Sequence, residues 1–471
     1  MRLIRLVLLL CISLASGAVF AQQVTGIWEG ALQKGPGTLR VDFDNSAASL
    51  NSGPALEIEV LEGKNAQDVR FQAHALGQVF PFAGVRNGAE IVGKLANWQI
   101  TFTQLPDTTA PIIVRKIYPY PHPQTLDDKA IEKAHAMAGE LVHKMDIPGL
   151  SVAVARNGQV VWSEGFGLAD VEQNVPVTPE TLFRVGSVSK VLTAAGVAKL
   201  VQDGKLDLDA PIQKYVPDFP VKKWPITTRE LASHSAGIRH YSPADNKGPH
   251  PLNNNPHFAS IKESLTIFEN DPLLFEPGTS YNYSSYGFNL ISAVMEGASG
   301  EEFLSYMQEN VFEPLGLRHI APDHVIAIIP HRASFYAREA PGKPLEHASY
   351  KDNSYKWASG GYLASAEDLV RFGSAHLKPG FFSQSTLDVL FTGYSTIPPS
   401  NHTSVGIGWN IGQDGQGRRM LHHSGTSEGG RAVLLVLPDS GIVVAMLANI
   451  LAPFDLRQAE SIGLLFDHKD L

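Results

Sequence analysis

The spacing of hydrophobic and polar positions changes near residue 117 and divides the chain into two parts. Between residues 22 and 116, apolar and polar residues alternate in short runs separated by Gly, Asn and Pro. An alternation with period two is typical of strands that bury one face. The clearest runs are 39–43, 56–60, 69–73 and 100–103. We therefore predict a small antiparallel all-β domain over residues 22–116, a sandwich or a barrel, with a binding or spacer role.

The boundary itself has a distinct composition. Residues 117–124 read IYPYPHPQ, with a proline at every second position from 119 to 123. Proline fixes φ and removes a backbone donor, so this segment cannot form a helix and favours an extended chain. We predict a linker over residues 117–124.

The remaining residues, 125–471, mix helical and strand patterns. Asn157-Gly158 between two apolar runs is a strong hairpin signal, and Gly204 is placed to end a helix. The predicted strands are 150–155, 160–163, 431–437 and 442–448, and the predicted helices are 126–144, 187–203 and 456–466. Because strands lie at both ends and a helical, loop-rich region lies between them, we predict one antiparallel sheet built from both ends of the domain.

The first 21 residues have the composition of a secretory signal peptide. Arg2 and Arg5 precede an apolar stretch, residues 6–20, and Ala21 supplies a small residue at the cleavage site. The stretch is too short to span a bilayer comfortably. We predict cleavage after Ala21, an exported protein in the periplasm or outside the cell, and no stable membrane insertion after cleavage.

Cysteine content and charge restrict the chemistry. Cys11 is the only cysteine, so the cleaved chain would have no disulfide, no thiolate nucleophile and no cysteine-based zinc site. The spacings of His234, His240, His250 and His257 fit no compact zinc motif. The formal net charge of −9 argues against nucleic acid as a partner. We expect a small-molecule or peptide substrate and no cofactor; the oligomeric state stays undefined.

Candidate chemistry lies at the start of the helix predicted over residues 187–203. Ser187 and Lys190 are three residues apart, so on a helix they share one face. A serine hydroxyl needs a base to become a nucleophile, and a lysine can be that base if burial lowers its pKa. A helix N-terminus also offers backbone N–H groups to an oxyanion. Alone, however, this short pattern also fits a capped helix with a surface lysine.

Two further motifs follow in order along the chain: Tyr283-Ser284-Ser285 and His423-Ser424-Gly425. With Ser187-x-x-Lys190 they resemble the motifs of serine hydrolases of the class C β-lactamase and penicillin-binding protein superfamily. Further stretches that are similar to this family are 179–184, 226–237 and 359–369. The resemblance covers about residues 126–471. It implies an α/β (α+β) domain with an antiparallel sheet flanked by helices and a helical subdomain.

The resemblance also implies a role for each motif residue. Ser187 would attack a carbonyl and become acylated, and Lys190 and Tyr283 would carry protons. Which of the two is the acylation base stays open, and Tyr283 could act at neutral pH if a nearby lysine lowered its pKa. The backbone N–H groups of Ser187 and Thr426 would form the oxyanion hole, and no metal or organic cofactor would be needed.

Two substitutions in these motifs bear on the substrate. Ser285 stands where β-lactamases have an asparagine, and His423 stands where they have the lysine of K-T-G. Serine reaches less far than asparagine, and an unperturbed histidine is mostly neutral at pH 7. We expect Ser285, His423, Ser424 and Gly425 to line the substrate site. The expected substrates are esters or D-amino-acid amides and peptides, with a β-lactamase or D,D-carboxypeptidase as the alternative and a non-catalytic binding protein as the alternative of another class.

A second serine also matches a nucleophile motif. Ser427 is the central residue of G-x-S-x-G over residues 425–429. In α/β-hydrolases this motif lies between a strand and a helix, whereas a β-rich run follows here. We therefore interpret this match as fortuitous.

Overall fold

A computed structural model describes residues 27–31, 38–42, 47–50, 56–61, 67–75, 78–96, 98–104, 128–247, 251–340, 343–398 and 403–467. The predicted signal peptide and linker lie outside these residues. The chain divides into two compact units, Met1–Lys116 and Ile117–Leu471. No helix of the described residues is long and apolar enough to cross a bilayer.

The first unit is a closed antiparallel barrel. Its strands are β1 (Ile27–Ala31), β2 (Thr38–Asp42), β3 (Ala47–Leu50), β4 (Leu56–Leu61), β5 (Asp68–Ala75), β6 (Gln78–Asn87), β7 (Glu90–Leu95) and β8 (Trp98–Gln104). They pair in chain order, and β8 closes the ring on β1. Of the two architectures predicted for this region, the structure has the barrel.

Alternation along these strands fills the barrel with apolar side chains. Trp28, Phe71 and Phe102 are almost fully buried, and the rings of Phe71 and Phe82 stack with centroids 4.7 Å apart. Gly93 leaves room for this cluster, because a Cβ there would lie 2.6 Å from the Phe82 ring. The strand period of two therefore places one apolar face of the sheet inward.

The second unit is built on a nine-stranded antiparallel sheet of order β11-β10-β9-β22-β21-β20-β19-β18-β17. The strands of this unit are β9 (Gly149–Arg156), β10 (Gln159–Asp170), β11 (Val175–Pro176), β12 (Phe183–Arg184), β13 (Ile320–Pro322), β14 (Tyr336–Ala337), β15 (Glu346–His347), β16 (Tyr362–Ala364), β17 (Ser395–Thr396), β18 (Ser404–Val405), β19 (Asn410–Gln413), β20 (Arg419–Ser427), β21 (Gly430–Leu437) and β22 (Ile442–Ala448). Because β9 pairs with both β10 and β22, the two ends of the unit meet at the centre of the sheet, as predicted.

Helices cover both faces of this sheet. They are α1 (Asp128–Met145), α2 (Ser189–Gln202), α3 (Thr228–Ala232), α4 (Ile261–Leu265), α5 (Ser285–Ser299), α6 (Phe303–Met307), α7 (Trp357–Gly360), α8 (Ala366–Ser374), α9 (Gln384–Leu390) and α10 (Leu456–Leu464). Helices α1 and α10 pack on one face, while α2, α8 and the helical region pack on the other. The central strands are buried on both faces, so they are continuous apolar runs without alternation.

The local predictions agree with this structure. Asn157 and Gly158 have φ of 53° and 86°, the left-handed values that a two-residue hairpin turn requires. The helix predicted from residue 187 begins as a 3₁₀ turn, Gly186–Val188, and continues as α2. Gly204 follows it with φ of 69°. Helix α2 is apolar on nearly all sides because it is buried between the sheet and the helical region.

Candidate active site

Ser187 lies in the 3₁₀ turn that precedes α2, and this turn contacts strand β20. Gly186 has φ of 50°, and a Cβ there would lie 2.5 Å from the Thr426 carbonyl oxygen. A Cβ on Gly425 would overlap the Val185 carbonyl oxygen and lie 3.0 Å from the Ser187 nitrogen. Only glycine at both positions permits this approach. The two segments that carry the predicted oxyanion donors, the N–H groups of Ser187 and Thr426, are therefore in contact.

The structure brings the three predicted catalytic side chains together. Tyr283 Oη donates a hydrogen bond of 2.8 Å to Ser187 Oγ. Lys190 Nζ lies 3.2 Å from the same oxygen. Tyr283 immediately precedes Ser284, the N-cap of α5, whose side chain accepts a hydrogen bond from the Gly287 N–H. A hydroxyl between an amine and a phenol has two groups within reach that can take or return its proton.

Lys190 is fully buried and bonded to neutral groups. Besides Ser187, its Nζ contacts Ser285 Oγ at 3.1 Å and donates to the Ser359 carbonyl at 2.8 Å. Among the described residues, no carboxylate forms an ion pair with it. Burial lowers the pKa of Lys190 well below its ordinary value, and the positive charge of Lys356 adds to this effect. Both effects favour the uncharged amine, which is the form that can accept a proton.

The surroundings of Tyr283 disfavour the phenolate form, which is the form that a tyrosine base needs. Burial raises its pKa, an effect that its hydrogen bond to Ser187 only partly offsets. Lys190 Nζ lies 4.9 Å from the ring centroid, but the effect of burial dominates and the pKa of the phenol stays above its ordinary value. The expectation that a nearby lysine lowers the pKa of Tyr283 is therefore wrong for the free protein.

Two histidines hold the segment that follows Tyr283. The Ser284 N–H donates to His234 Nδ1 and the Ser285 N–H donates to His240 Nδ1, each at 3.2 Å. Both rings therefore carry their proton on Nε2. Burial and the Lys190 charge lower the pKa of both, that of His240 to about 4, so both are neutral. Their rings lie 4.4 and 5.3 Å from the Tyr283 ring.

These two histidines belong to no motif predicted for the site, and their spacing in the sequence was considered only for a zinc site, which it does not fit. His257 is elsewhere, with Nδ1 at 2.8 Å from Asp352 Oδ2, and His250 lies outside the described residues. Within the described ranges, no three potential metal ligands converge. The sequence signal that could have located His234 is the stretch 226–237, which contains it and is similar to the family.

Ser285 is turned toward the lysine. It is buried as the first residue of α5, and its Oγ contacts Lys190 Nζ. Its predicted contact with substrate stays a prediction. Tyr241 and Ser359 extend this polar group, since the Tyr241 hydroxyl interacts with the side chains of Ser285 and Ser359.

His423, Ser424 and Gly425 lie on β20 beside the Ser187 turn. His423 is 5% exposed, and its Nδ1 lies 2.6 Å from the Ser424 carbonyl oxygen, so this nitrogen carries the proton. Burial, and then the Lys190 charge, lower the pKa of His423 to about 3. The imidazole is therefore neutral and supplies no cation for a substrate carboxylate.

Ser427 is not in a nucleophile elbow. It ends β20 and pairs with Gly430 at the start of β21, so a hairpin joins two strands there. The helix that must follow an elbow serine is replaced by a strand.

Comparisons with known proteins agree with this architecture. The family model described as Beta-lactamase matches residues 135–465. The human serine beta-lactamase-like protein LACTB, mitochondrial, is 31% identical over 439 residues, which cover 72% of this chain and 80% of that protein. The octameric penicillin-binding protein homologue from Pyrococcus abyssi superposes with a TM-score of 0.62 at 25% identity, covering 71% of this chain and 77% of that one.

A structure of SurE with D-Leu also superposes, with a TM-score of 0.56 at 26% identity, covering 69% of this chain and 72% of that one. The fold predicted from the motifs is confirmed. The match to the family model extends over most of the second unit and includes Ser187, Lys190, Tyr283 and His423. The chain belongs to the β-lactamase family, within the serine hydrolase superfamily that includes the penicillin-binding proteins.

Proposed function

We propose that the protein is a serine hydrolase that works through an acyl-enzyme on Ser187. The observation that carries this proposal is the position of Ser187 Oγ, 2.8 Å from Tyr283 Oη and 3.2 Å from Lys190 Nζ. A buried amine with a lowered pKa beside a serine hydroxyl is an arrangement that can activate the serine as a nucleophile.

In the acylation step, uncharged Lys190 takes the proton of Ser187, and Oγ forms a bond to the substrate carbonyl carbon. The N–H groups of Ser187 and Thr426 stabilise the negative oxygen of the tetrahedral intermediate. As the bond to the leaving group breaks, Tyr283 protonates that group and regains a proton from the Lys190 ammonium. The raised pKa of Tyr283 keeps the phenol protonated, so a proton is available when the leaving group departs.

Hydrolysis of the acyl-enzyme uses the same groups in reverse. Water attacks the acyl carbon, and one proton passes from the water through the Tyr283 hydroxyl to uncharged Lys190. The bond from carbon to Ser187 Oγ then breaks, and Ser187 Oγ takes its proton back from the Lys190 ammonium. No step needs a group from outside the chain apart from water.

The proposed substrates are esters or D-amino-acid amides and peptides. Neutral His423 and the engagement of Ser285 with Lys190 favour these over β-lactams. The D-Leu in the related SurE structure supports a D-amino-acid substrate. β-Lactam or D,D-carboxypeptide hydrolysis is the second candidate, favoured by the match to the Beta-lactamase family model.

Labelling with a fluorophosphonate, followed by mass mapping of the modified peptide, tests the proposal. We expect modification at Ser187, loss of labelling in Ser187→Ala, and unchanged labelling in Ser427→Ala, which is the matched control. A panel of chromogenic esters, D-aminoacyl anilides and nitrocefin then ranks the substrate classes. An absence of labelling and of turnover across the panel would support a non-catalytic binding protein instead.

Export by a cleaved signal peptide is a separate proposal. It is supported by Arg2, Arg5 and the apolar stretch that follows them. N-terminal sequencing of the protein purified from a bacterial periplasm should begin at Gln22. Retention of the uncleaved chain in the cytoplasm would contradict this, and import by isolated mitochondria would favour the location in the human relative's name.

A further inference from the structure

A second lysine, Lys356, lies beside the Ser187 turn. It immediately precedes α7, the helix whose Ser359 carbonyl binds Lys190. A Cβ on Gly360 would lie 3.8 Å from Lys356 Cδ and 3.9 Å from the Gly186 carbonyl carbon. The Lys356 side chain and the residue before the nucleophile therefore border the same small space.

Lys356 has no partner carboxylate among the residues that the structure describes. The buried carboxylate nearby, Asp323, is already occupied. Its Oδ2 accepts from Arg184 Nε at 2.7 Å and from Asn353 Nδ2 at 2.9 Å, and its Oδ1 lies 3.4 Å from Arg332. Asp323 is therefore engaged by other side chains and does not neutralise the Lys356 ammonium.

The remaining charges near Lys356 also leave it unpaired. Arg184 and Lys351 repel its charge, while Glu428 and Asp323 attract it without forming an ion pair with it. Burial and these cations lower the pKa of Lys356 to about 8, so it is still mostly protonated at pH 7. A half-buried ammonium without a counter-charge is unfavourable, and a bound anion would offset that cost.

His423, the β20 residue expected to contact substrate, is neutral and therefore cannot supply a positive charge for an anionic substrate. Lys190 is fully buried and occupied by three oxygen atoms. Lys356 is partly exposed, and its Cδ lies across Gly360 from Gly186, the residue before Ser187. We propose that Lys356 binds a carboxylate of the substrate while Ser187 attacks the carbonyl, which makes the enzyme selective for anionic acyl compounds. This inference rests on the proposed function of Ser187.

A purely electrostatic effect of Lys356 on Lys190 is the competing explanation, because its charge also lowers the pKa of Lys190. The two explanations differ in one respect. An effect through Lys190 would change the hydrolysis of neutral and anionic substrates equally, whereas a carboxylate site would change only the anionic ones.

Two pairs of esters separate these explanations. One pair places the carboxylate in the acyl part: p-nitrophenyl hemiglutarate against p-nitrophenyl pentanoate. The other places it in the leaving group: 4-acetoxybenzoate against its methyl ester. In Lys356→Met, we expect kcat/KM for the anionic member of at least one pair to fall about tenfold relative to its neutral partner, since the charge pair is partly desolvated.

Matched variants complete the design. Lys356→Arg should restore the preference, and Lys351→Met, which removes a neighbouring positive charge, should leave it within about twofold. KM for the preferred anionic ester should rise above pH 8 in the wild type as Lys356 loses its proton, but KM for the neutral ester should not. Equal losses for both members of both pairs in Lys356→Met would overturn the proposal.

Calorimetry with the Ser187→Ala variant makes this test independent of turnover. Titration with p-nitrophenyl hemiglutarate and with 4-acetoxybenzoate should show, for at least one of them, binding that is about tenfold weaker in Ser187→Ala/Lys356→Met. If Ser187 is never acylated but this difference is found, the proposed function fails and the carboxylate site stands. If Ser187 is acylated and both ligands bind the two variants equally, the carboxylate site fails alone.

Discussion

The barrel and the second unit bury different kinds of side chain. The buried side chains described in the barrel are all apolar. In the second unit, the residues around Ser187 include buried Lys190, His234, Ser285 and His423. Buried polar groups oppose folding unless they are paired, so their concentration in one cleft is typical of a functional site. The buried side chains of the barrel are those of a region stabilised by apolar packing.

The largest effect is expected from replacing Lys190, the buried amine of the second unit. Lys190→Met should lower kcat by about 10³-fold, because the serine loses its base. The melting temperature should equal or exceed that of the wild type, because the side chain that must be desolvated is replaced by an apolar one. Activity assays and differential scanning calorimetry measure the two effects. Lys199→Met, on the same helix but ion-paired with Asp203 and partly exposed, is the control and should keep full activity.

A substitution in the core of the barrel should instead lower stability and leave activity unchanged. Phe71→Ala removes a ring that stacks on Phe82 and contacts Phe102, and should lower the free energy of unfolding of the barrel by about 3–5 kcal/mol. Hydrogen exchange of barrel amides measures this loss. The kcat/KM of the second unit should not change. Val79→Ala, at a barrel position that is 51% exposed, should be nearly neutral. A large loss of activity in Phe71→Ala would contradict the division of roles.

Tyr283→Phe sharpens the comparison within the cleft. It removes the proton donor to the leaving group but keeps the ring packed against His234. We expect kcat/KM on a D-aminoacyl amide to fall about 10²-fold, and less on a p-nitrophenyl ester, whose leaving group needs no proton. Equal losses on the two substrates would instead assign Tyr283 to deprotonation of Ser187.

The features that are local in sequence could be predicted, and those that depend on distant contacts could not. The Asn157-Gly158 hairpin and the spacing of Ser187 and Lys190 are local. The apolar runs of β21 and β22 predicted adjacent strands for the same reason. By contrast, Lys190 contacts Ser285 and Ser359, which lie 95 and 169 positions away.

The protonation states of the site residues could be predicted from the sequence even less well than their contacts. Burial decides the charge of Lys190, His423 and Tyr283, and a motif does not report burial. The order of the motifs nevertheless predicted that Tyr283 would meet Ser187. It did so through resemblance to a family rather than through any property of these residues alone. Lys356 belongs to no predicted motif, and its environment is visible only in the folded chain.

The smallest expected effect is a pH dependence of stability. The folded-state pKa of Lys190 is lowered, while in the unfolded chain it returns to about 10.4. Between these two values the unfolded state binds more protons, so the free energy of unfolding should rise with pH, by at most about 1.4 kcal/mol per pH unit. The Lys190→Met variant lacks this pH-dependent contribution to stability, whereas the smaller contribution from Lys356 is present in the variant and in the wild type. Denaturant unfolding of both at pH 7, 8 and 9 should therefore give a steeper rise for the wild type. Parallel profiles would mean that Lys190 keeps its proton in the folded protein, and the cleft would then lack the uncharged base that distinguishes it from the barrel.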